Sequence, residues 1–502
     1  MPHRTLLTAA LLAAWTLHPA RAATPPLYSA GKPLKQLLGE LAAPSGVRFH
    51  VAPTVAQDRV RTRAEGTAWP EVIQSLLRGY NYTATWSAGR LLEVRVTGRN
   101  GDGTAPPADL DPAGELVSYR APVPVPARYR SYRPGSVYPI QVPTRRLRTM
   151  KIGERIAVSL PDGRYWLLHD HAWRHDNGDL TWVGYLEGPQ GRFRTVLTLG
   201  DGAVEGQIRT PGGLYKVESG AAGLWLIDIN AAGLKRTPLE GDQGAAAARA
   251  VDHGDRSRPV SATTTPDGKA VIDVLLLYTP AMAKPGVRTR LNQLLALANQ
   301  ALVDSQVKAV FRLAGARPIG YRNGGDNSQV LDDLSHFTGG LGKVPQLRAQ
   351  TGADVVVLVR RFWPASQGGN CGIAWVNGSG ATELRADLAF AVIGYGAAGG
   401  YYCSDYTLAH ELGHVLGATH DRQHANVAGK FPYSYGYGIE NRFGDIMSYF
   451  DPEVGVYSNP AIALCAGSPC GIPPGQPQAA DVAATFNQTA PTVSAFVGAV
   501  PR

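Results

Sequence analysis

The stretch His410-Glu411-Leu412-Gly413-His414-Val415-Leu416-Gly417-Ala418-Thr419-His420 constrains this chain more than any other feature. Histidines four residues apart lie one above the other on one face of an α-helix. The spacing therefore predicts a helix that carries His410 and His414 toward one point. Glu411, beside His410, can face the open side of whatever the two imidazoles hold. Gly417 suits a left-handed residue that stops the helix and turns the chain, returning His420 to the same point. Three neutral imidazoles are a ligand set for one zinc ion and leave it a Lewis acid with a position for water. A helix whose histidines merely faced solvent would not need Glu411 and Gly417 in these places. A purely structural zinc site would have no use for a base at the open position.

The chain has 502 residues, room for roughly three domains of ~150 residues. Its core need not depend on metals or disulfides. Hydrophobic residues at 44%, charged residues at 18%, 58 glycines and 37 prolines read as globular domains with loops and linkers rather than disorder. The net charge of +9 is mostly arginine and thinly spread, which speaks against a nucleic-acid groove. The densest run, Arg145-Arg146-Leu147-Arg148, reads as a solvated loop. No glycine cluster forms a phosphate loop after a strand. At the N-terminus, Arg4, the apolar run Leu6 to Leu17 and Ala20-Arg21-Ala22 read as a signal peptide over 1–22, too short to span a bilayer. No later stretch is long enough to cross a membrane. Cys371, Cys403, Cys465 and Cys470 permit two disulfides in three pairings. Pairing Cys465 with Cys470 closes a small loop, and Cys371 with Cys403 would then tie the segment before the histidine motif; this pairing is favoured.

Residues 24–97 read as a small α+β domain. A helix opened by Pro33 carries Leu34, Leu37, Leu38 and Leu41 on one face, and a strand runs from Val47 to Val51. A second helix spans Trp69 to Leu77, and Tyr82 to Trp86 with Leu91 to Val96 makes a hairpin. This αβαββ order resembles the short N-terminal domain of secretins and TonB-dependent receptors. Residues 98–115 read as a linker, and the prolines within 116–148 as extended chain. Residues 116–230 form a β-rich region with seven short strands between Ile156 and Ile229. Residues 231–266 lose periodicity and read as an exposed linker open to processing. From 267 to 502 the pattern is α/β, with helices flanking a twisted sheet. Val271 to Tyr278 and Ala353 to Val359 are buried strands, and Val287 to Val303 is a helix. A strand at Val307 to Leu313, a helix at Val344 to Ala349, a strand at Leu388 to Ile393 and a helix near Ala479 to Phe486 complete the pattern.

His410 to His420 is similar to the metzincin clan of zinc endopeptidases. The resemblance implies a twisted mixed sheet with an active-site helix and a Met-turn, and Asp445-Ile446-Met447-Ser448-Tyr449 matches that turn. Met447 would pack as an apolar base under the imidazoles. Tyr449 matches the tyrosine with which the astacin and serralysin branches stabilise the intermediate. Asp421, and Asp273 to Pro280 at the start of the domain, look instead like the adamalysin or reprolysin branch. Cys371-Gly372-Ile373-Ala374 and Tyr457-Ser458-Asn459-Pro460 resemble a bacterial reprolysin-like group that includes peptidyl-Asp metalloendopeptidase. The resemblance covers about 270–497, and the preceding region resembles the pro-region of the same enzymes.

The resemblance implies one catalytic Zn2+ on His410, His414 and His420. Glu411 is the base that takes a proton from the attacking water and passes it to the leaving amine. Asp421 would orient a ligand or hold the loop. Substrates would be proteins or peptides, cut on the amino side of Asp or Glu. Such a preference needs a cation in the S1′ pocket, for which Arg422 and Arg442 are candidates. The pro-region would act as inhibitor or chaperone. It holds no cysteine between 23 and 266, so its block is steric or uses another ligand, with His169, His171 and His175, flanked by Asp170 and Asp176, as candidate caps. Self-maturation would cut at Val251-Asp252, Gly254-Asp255 or, less readily, Pro266-Asp267; a start after Arg256 or Arg258 would mark another protease. Location is read as extracellular, reached through the periplasm of a Gram-negative bacterium. The competing readings are a non-catalytic zinc-binding or adhesion protein, and an envelope-docking protein acting through residues 24–97. The sequence leaves structural Ca2+, the oligomeric state and the natural substrate open.

Overall fold

The computed structural model describes residues 27–28, 31–60, 63–64, 69–77, 80–87, 90–99, 114–188, 191–220, 223–237, 243–244, 262–322, 324–364, 369–462, 465 and 468–498. The segment read as a signal peptide, most of the expected 98–115 linker and the candidate cut sites at 251–258 lie outside them. The chain divides into two compact units: residues to Ala108 with Leu160–Tyr165, and the remainder.

In the first unit, helix α1 (Leu34–Ser45) is followed by β1 (Arg48–Val51), α2 (Trp69–Leu76), β2 (Tyr80–Ser87) and β3 (Arg90–Arg99). β3 lies centrally, parallel to β1 and antiparallel to β2. Leu34, Leu37, Leu38 and Leu41 of α1 pack with Val72, Ile73 and Leu76 of α2 over Val94 and Val96. The i, i+3, i+4 spacing of apolar residues in both helices is what buries one face of each.

The second unit begins with an antiparallel sheet. Its strands are β4 (Ser118–Tyr119), β5 (Val137–Gln141), β6 (Arg155–Leu160), β7 (Gly163–Arg174), β8 (Leu180–Gly188), β9 (Gly191–Leu199), β10 (Val204–Thr210), β11 (Gly213–Gly220) and β12 (Gly223–Asp228). The order is β6-β7-β8-β9-β10-β11-β12-β5-β4. A bridge from Glu115 to Ala157, and the Tyr119 hydroxyl donating to the Ser159 carbonyl at 3.1 Å, bring the two ends together. Closure removes the exposed edges of a long meander. Residues 116–148 were expected only as extended chain. They supply β4 and β5 plus helical turns at Ala127–Tyr129 and Thr144–Leu147. The prolines do not prevent this, since Pro139 keeps a carbonyl that accepts from the Arg120 amide at 2.9 Å.

Two short strands follow within the expected linker: β13 (Lys235–Arg236) and β14 (Gln243–Gly244). Then come β15 (Ala270–Tyr278), α3 (Val287–Asp304), β16 (Ala309–Pro318), α4 (Asn327–His336), α5 (Val344–Thr351), β17 (Val355–Arg361), β18 (Gly372–Trp375) and β19 (Phe390–Tyr395). Strands β20 (Ala397–Ala398) and β21 (Tyr401–Tyr402) and helices α6 (Thr407–Val415) and α7 (Val482–Val493) complete the elements used below. The main sheet has the order β14-β18-β19-β17-β15-β16, with only the β18–β19 pair antiparallel. Val274 and Leu276 of β15, with Val355 and Val357 of β17, face α3, α6 and α7. Leu275, Leu277, Val356 and Leu358 face α4 and α5. Covering both faces explains why these strands read as near-continuous apolar runs, interrupted in β15 only by Asp273.

The core extends into the β-rich region. Val183 of β8 and Val196 of β9 join the same cluster as Leu291, Leu294 and Leu295 of α3. Gln293 Nε2 donates to the Val196 carbonyl at 3.0 Å, and Arg290 pairs with buried Glu205 of β10 at 2.8 Å. Disulfides join Cys371 to Cys403 and Cys465 to Cys470.

Candidate metal centre

Helix α6 is buried along its whole length. Leu408, Ala409, Leu412 and Val415 face the core, which turns His410, Glu411 and His414 to the opposite side. His410 Nδ1 meets the Ile446 carbonyl at 2.6 Å and His414 Nδ1 the Ala418 carbonyl at 3.0 Å. A carbonyl only accepts, so the proton of each neutral ring sits on Nδ1 and its Nε2 presents a lone pair.

Gly417, at φ +93°, ends the helix and swings the chain back. A Cβ there would stand 2.8 Å from Lys430 Cβ and 3.2 Å from the Asn377 carbonyl, so glycine is required by space as well as by conformation. The turn brings His420 Nε2 to 3.2 Å from His410 Nε2 and 3.1 Å from His414 Nε2. The three histidines form a buried group whose ligand atoms lie within 4.8 Å of one another. Nε2 atoms converging in a buried space can hold a cation among them.

Behind this triad lies Asp445 to Tyr449. Met447 is fully buried, and a Cβ on Gly413 would lie 3.2 Å from Met447 Cε. Only a glycine between the two helical histidines lets the Met side chain approach so closely. Asp421 ties the motif to this turn: its Oδ2 accepts from Ser448 Oγ at 3.1 Å and from the Tyr449 amide at 3.0 Å, and both its oxygens face His424 Nδ1 at 2.8 and 2.9 Å. The Tyr449 hydroxyl stands 3.3 Å from His420 Nε2, with the His424 ring packed against the Tyr449 ring at 4.9 Å. His424 was not singled out from the sequence; its i+3 spacing from Asp421 was the available signal. Asp445 is buried, and that burial pushes its carboxyl well above the usual range against the pull of the Tyr437 amide.

Glu411 is fully buried and abuts β18: a Cβ on Gly372 would lie 2.9 Å from Glu411 Cγ and Cδ. The remaining candidates lie elsewhere. Arg422 donates to the Pro432 and Ala479 carbonyls and stacks on Tyr435, while Arg442 reaches Ser468 Oγ at 3.0 Å. His169 stacks on Trp182, His171 lies beside Asp170, and His175 Nε2 meets Thr181 Oγ1 at 2.8 Å. Among the described residues the only His/Cys/Asp/Glu group found suited to a metal is His410, His414 and His420.

The acids around α6 are matched by bases from the β-rich half. Glu453 accepts from Arg209 at 3.2 Å, Arg236 at 3.1 Å and Ser404 Oγ at 2.5 Å. Burial alone would raise its carboxyl, but the two guanidinium groups hold it below the usual range. Lys216 pairs with Asp405, just before α6, at 2.8 Å.

Residues 269–473 match the metallo-peptidase family M12B reprolysin-like model, and residues 123–231 match the BamI lipocalin-like domain. A peptidyl-Asp metalloendopeptidase of Stenotrophomonas maltophilia is 28% identical over 347 residues, 64% of this chain and 78% of the relative. The protein of the same name from Xanthomonas campestris pv. campestris is 30% identical over 345 residues, 64% of this chain and 76% of the relative. One from Pseudomonas aeruginosa is 27% identical over 258 residues, 45% of this chain and 40% of the relative. With its three convergent imidazoles set in the matched segment, the chain belongs to the reprolysin-like M12B metallopeptidases and is a metalloendopeptidase.

Proposed function

We propose that the protein is an exported zinc endopeptidase that cuts on the amino side of acidic residues, with His410, His414 and His420 as metal ligands, Glu411 as general base and Tyr449 as an additional donor to the oxyanion. One observation carries the reading: two Nε2–Nε2 separations of 3.1 and 3.2 Å, with the Nδ1 atoms of His410 and His414 committed to carbonyls. Ligands at zinc–nitrogen lengths of 2.0–2.1 Å in tetrahedral array stand about 3.3 Å apart, so the donor set fits zinc in number, chemistry and spacing. When bound, zinc supplies Lewis acidity and a water of lowered pKa.

The chain's own residues do the rest. The Ile446 and Ala418 carbonyls fix the imidazole tautomers and ring planes. Glu411 follows His410 on α6 and lies where α6 meets β18, so a peptide laid along that strand passes its carboxylate. It takes the proton of the attacking water and returns it to the leaving amine. Tyr449, held through its amide by Asp421, offers its hydroxyl to the developing negative charge. Preference for Asp is supported by the names of the relatives. Export is supported by the charged and apolar N-terminal pattern and by the two disulfides. Glu411→Gln should retain one zinc per chain and lose hydrolysis of a peptide containing Asp. Loss of zinc together with activity, or full activity in the variant, would refute the role.

A further inference from the structure

His424 lies outside the histidine triad, and its ring is nevertheless fixed at the rim of the site. Its amide and that of Ala425 donate to the Asp421 carbonyl at 3.0 and 2.9 Å, and the Gln423 amide donates to Asp421 Oδ1 at 3.1 Å. This tight turn brings His424 Nδ1 back to the side chain of Asp421, 2.8 and 2.9 Å from its two oxygens. Those oxygens already accept from the Gln423 and Tyr449 amides and the Ser448 hydroxyl, so His424 Nδ1 is a further donor to them. One buried side chain, Asp421, thus fixes the His424 ring and the backbone of Tyr449 relative to each other.

The bond to the Tyr449 amide sets the backbone and leaves χ1 a choice of staggered wells. The observed well puts the hydroxyl 3.3 Å from His420 Nε2. Tyr449 is only half-buried, so burial alone does not select it. Its ring is packed against two imidazoles, His420 at 4.5 Å and His424 at 4.9 Å between centroids. The His424 ring is in turn met edge-on by Phe450 at 5.4 Å. Of the two imidazoles against Tyr449, only His424 lies outside the triad. Histidine joins a flat ring to a donor adjacent to Cγ, so one side chain serves both Asp421 and Tyr449. An aromatic contact of this kind shifts a rotamer population by roughly 2- to 10-fold.

We propose that His424 is a positioning residue for hydrolysis: anchored on Asp421, its ring holds the Tyr449 side chain in the rotamer that keeps the phenol hydroxyl beside His420. For its effect on rate the inference rests on the reading of Tyr449 as oxyanion donor; the placement of the ring stands apart from that reading. A hydroxyl needed only as charge develops contributes to the transition state and not to substrate binding, so loss of His424 lowers kcat and leaves KM unchanged.

The test uses the full chain labelled with 3-fluorotyrosine, in which the fluorine resonance missing from Tyr449→Phe identifies Tyr449. Spectra are recorded without zinc, and kcat and KM for a peptide containing Asp are measured with it. The His424 side chain is 27% exposed, so it can be replaced without opening the core. In His424→Ala the Tyr449 resonance should move toward those of exposed tyrosines, and kcat should fall roughly 2- to 10-fold at constant KM. In a Tyr449→Phe background the same replacement should cost nothing further. His424→Phe keeps a ring against Tyr449 and should recover most of both readouts. His424→Asn keeps a donor for Asp421 without the ring and should match His424→Ala, which it replaces if the alanine variant fails to fold. An unmoved Tyr449 resonance, an equal loss of kcat with and without the Tyr449 hydroxyl, or recovery by asparagine and not by phenylalanine would overturn the inference. A moved resonance together with full activity in Tyr449→Phe would uphold the placement and overturn the oxyanion reading instead.

Discussion

Replacing Gly417 by alanine separates the bend that presents His420 from the helix that presents the other two histidines of the triad. At φ +93° an L-residue pays for a left-handed backbone, about 1–2 kcal/mol. The new Cβ would stand 2.8 Å from Lys430 Cβ and 3.2 Å from the Asn377 carbonyl. Relief of such overpacking costs another ~1–3 kcal/mol. No helix-propensity gain offsets this, because α6 ends at Val415. The expected loss is therefore about 2–5 kcal/mol if the native bend is kept. If the bend instead relaxes, His420 moves and the cost appears in metal affinity, about 10–100-fold. Gly475→Ala is the control: its φ is +85° and no atom lies within 4 Å of the added Cβ, so it should cost only the backbone term, ~1–2 kcal/mol, and leave metal binding unchanged. Urea denaturation with and without chelator, together with zinc competition against a chromophoric chelator, measures both quantities. Equal destabilisation by the two alanines, with unchanged zinc affinity in each, would refute the claim that Gly417 is needed to place His420.

Lys216→Met leaves buried Asp405 without its partner at 2.8 Å and should cost about 3–5 kcal/mol; Lys216→Met/Asp405→Leu should recover most of it in the same denaturation assay. Removing the Cys371–Cys403 bridge, with sequence separation 32, should cost about 4 kcal/mol, against ~2 kcal/mol for Cys465–Cys470 with separation 5; an equal cost for both would show that loop length is not the governing factor. Glu453, faced by Arg209, Arg236, Asp451 and His410, is held below its ordinary value of 4.5. Its contribution to stability is thus complete above pH 4.5 and lost as the pH falls through its lowered value. The destabilisation caused by Glu453→Gln in urea denaturation should accordingly be constant above about pH 4.5 and shrink below it, and a cost that changes near neutrality would place the titrating group elsewhere.

The convergence of the three histidines was legible because its determinants are local. His410, His414, Gly417 and His420 lie within one helix and one turn, where spacing alone fixes which side chains can meet. The buried strands were legible because covering both faces forces an apolar run. Helix α4 was missed although Asp326 caps it by accepting from the Gln329 amide at 2.8 Å. Its buried apolar stripe is only Val330, Leu331 and Leu334, with Asp332 and Asp333 between, which is too short a period to stand out. Strand β18 has four residues, fewer than an alternation needs to declare itself. β13 and β14 have two each, in a segment whose composition reads as linker, and their pairing is decided wholly by partners that lie far along the chain.

The same limit applies to charge. Arginines scattered through residues 194–236 read as a thin, solvated excess, and that reading discouraged a nucleic-acid role. It could not show that the excess is consumed internally, because Arg236 and Glu453 are 217 residues apart and Lys216 and Asp405 189 apart. An acid that is buried beside a catalytic helix costs several kcal/mol unless a base is brought to it. The peptidase half carries such acids at Asp405 and Glu453, and the β-rich half brings Lys216, Arg209 and Arg236 to them. Each half therefore completes the electrostatics of the other, and removing either one would leave buried charges without their partners.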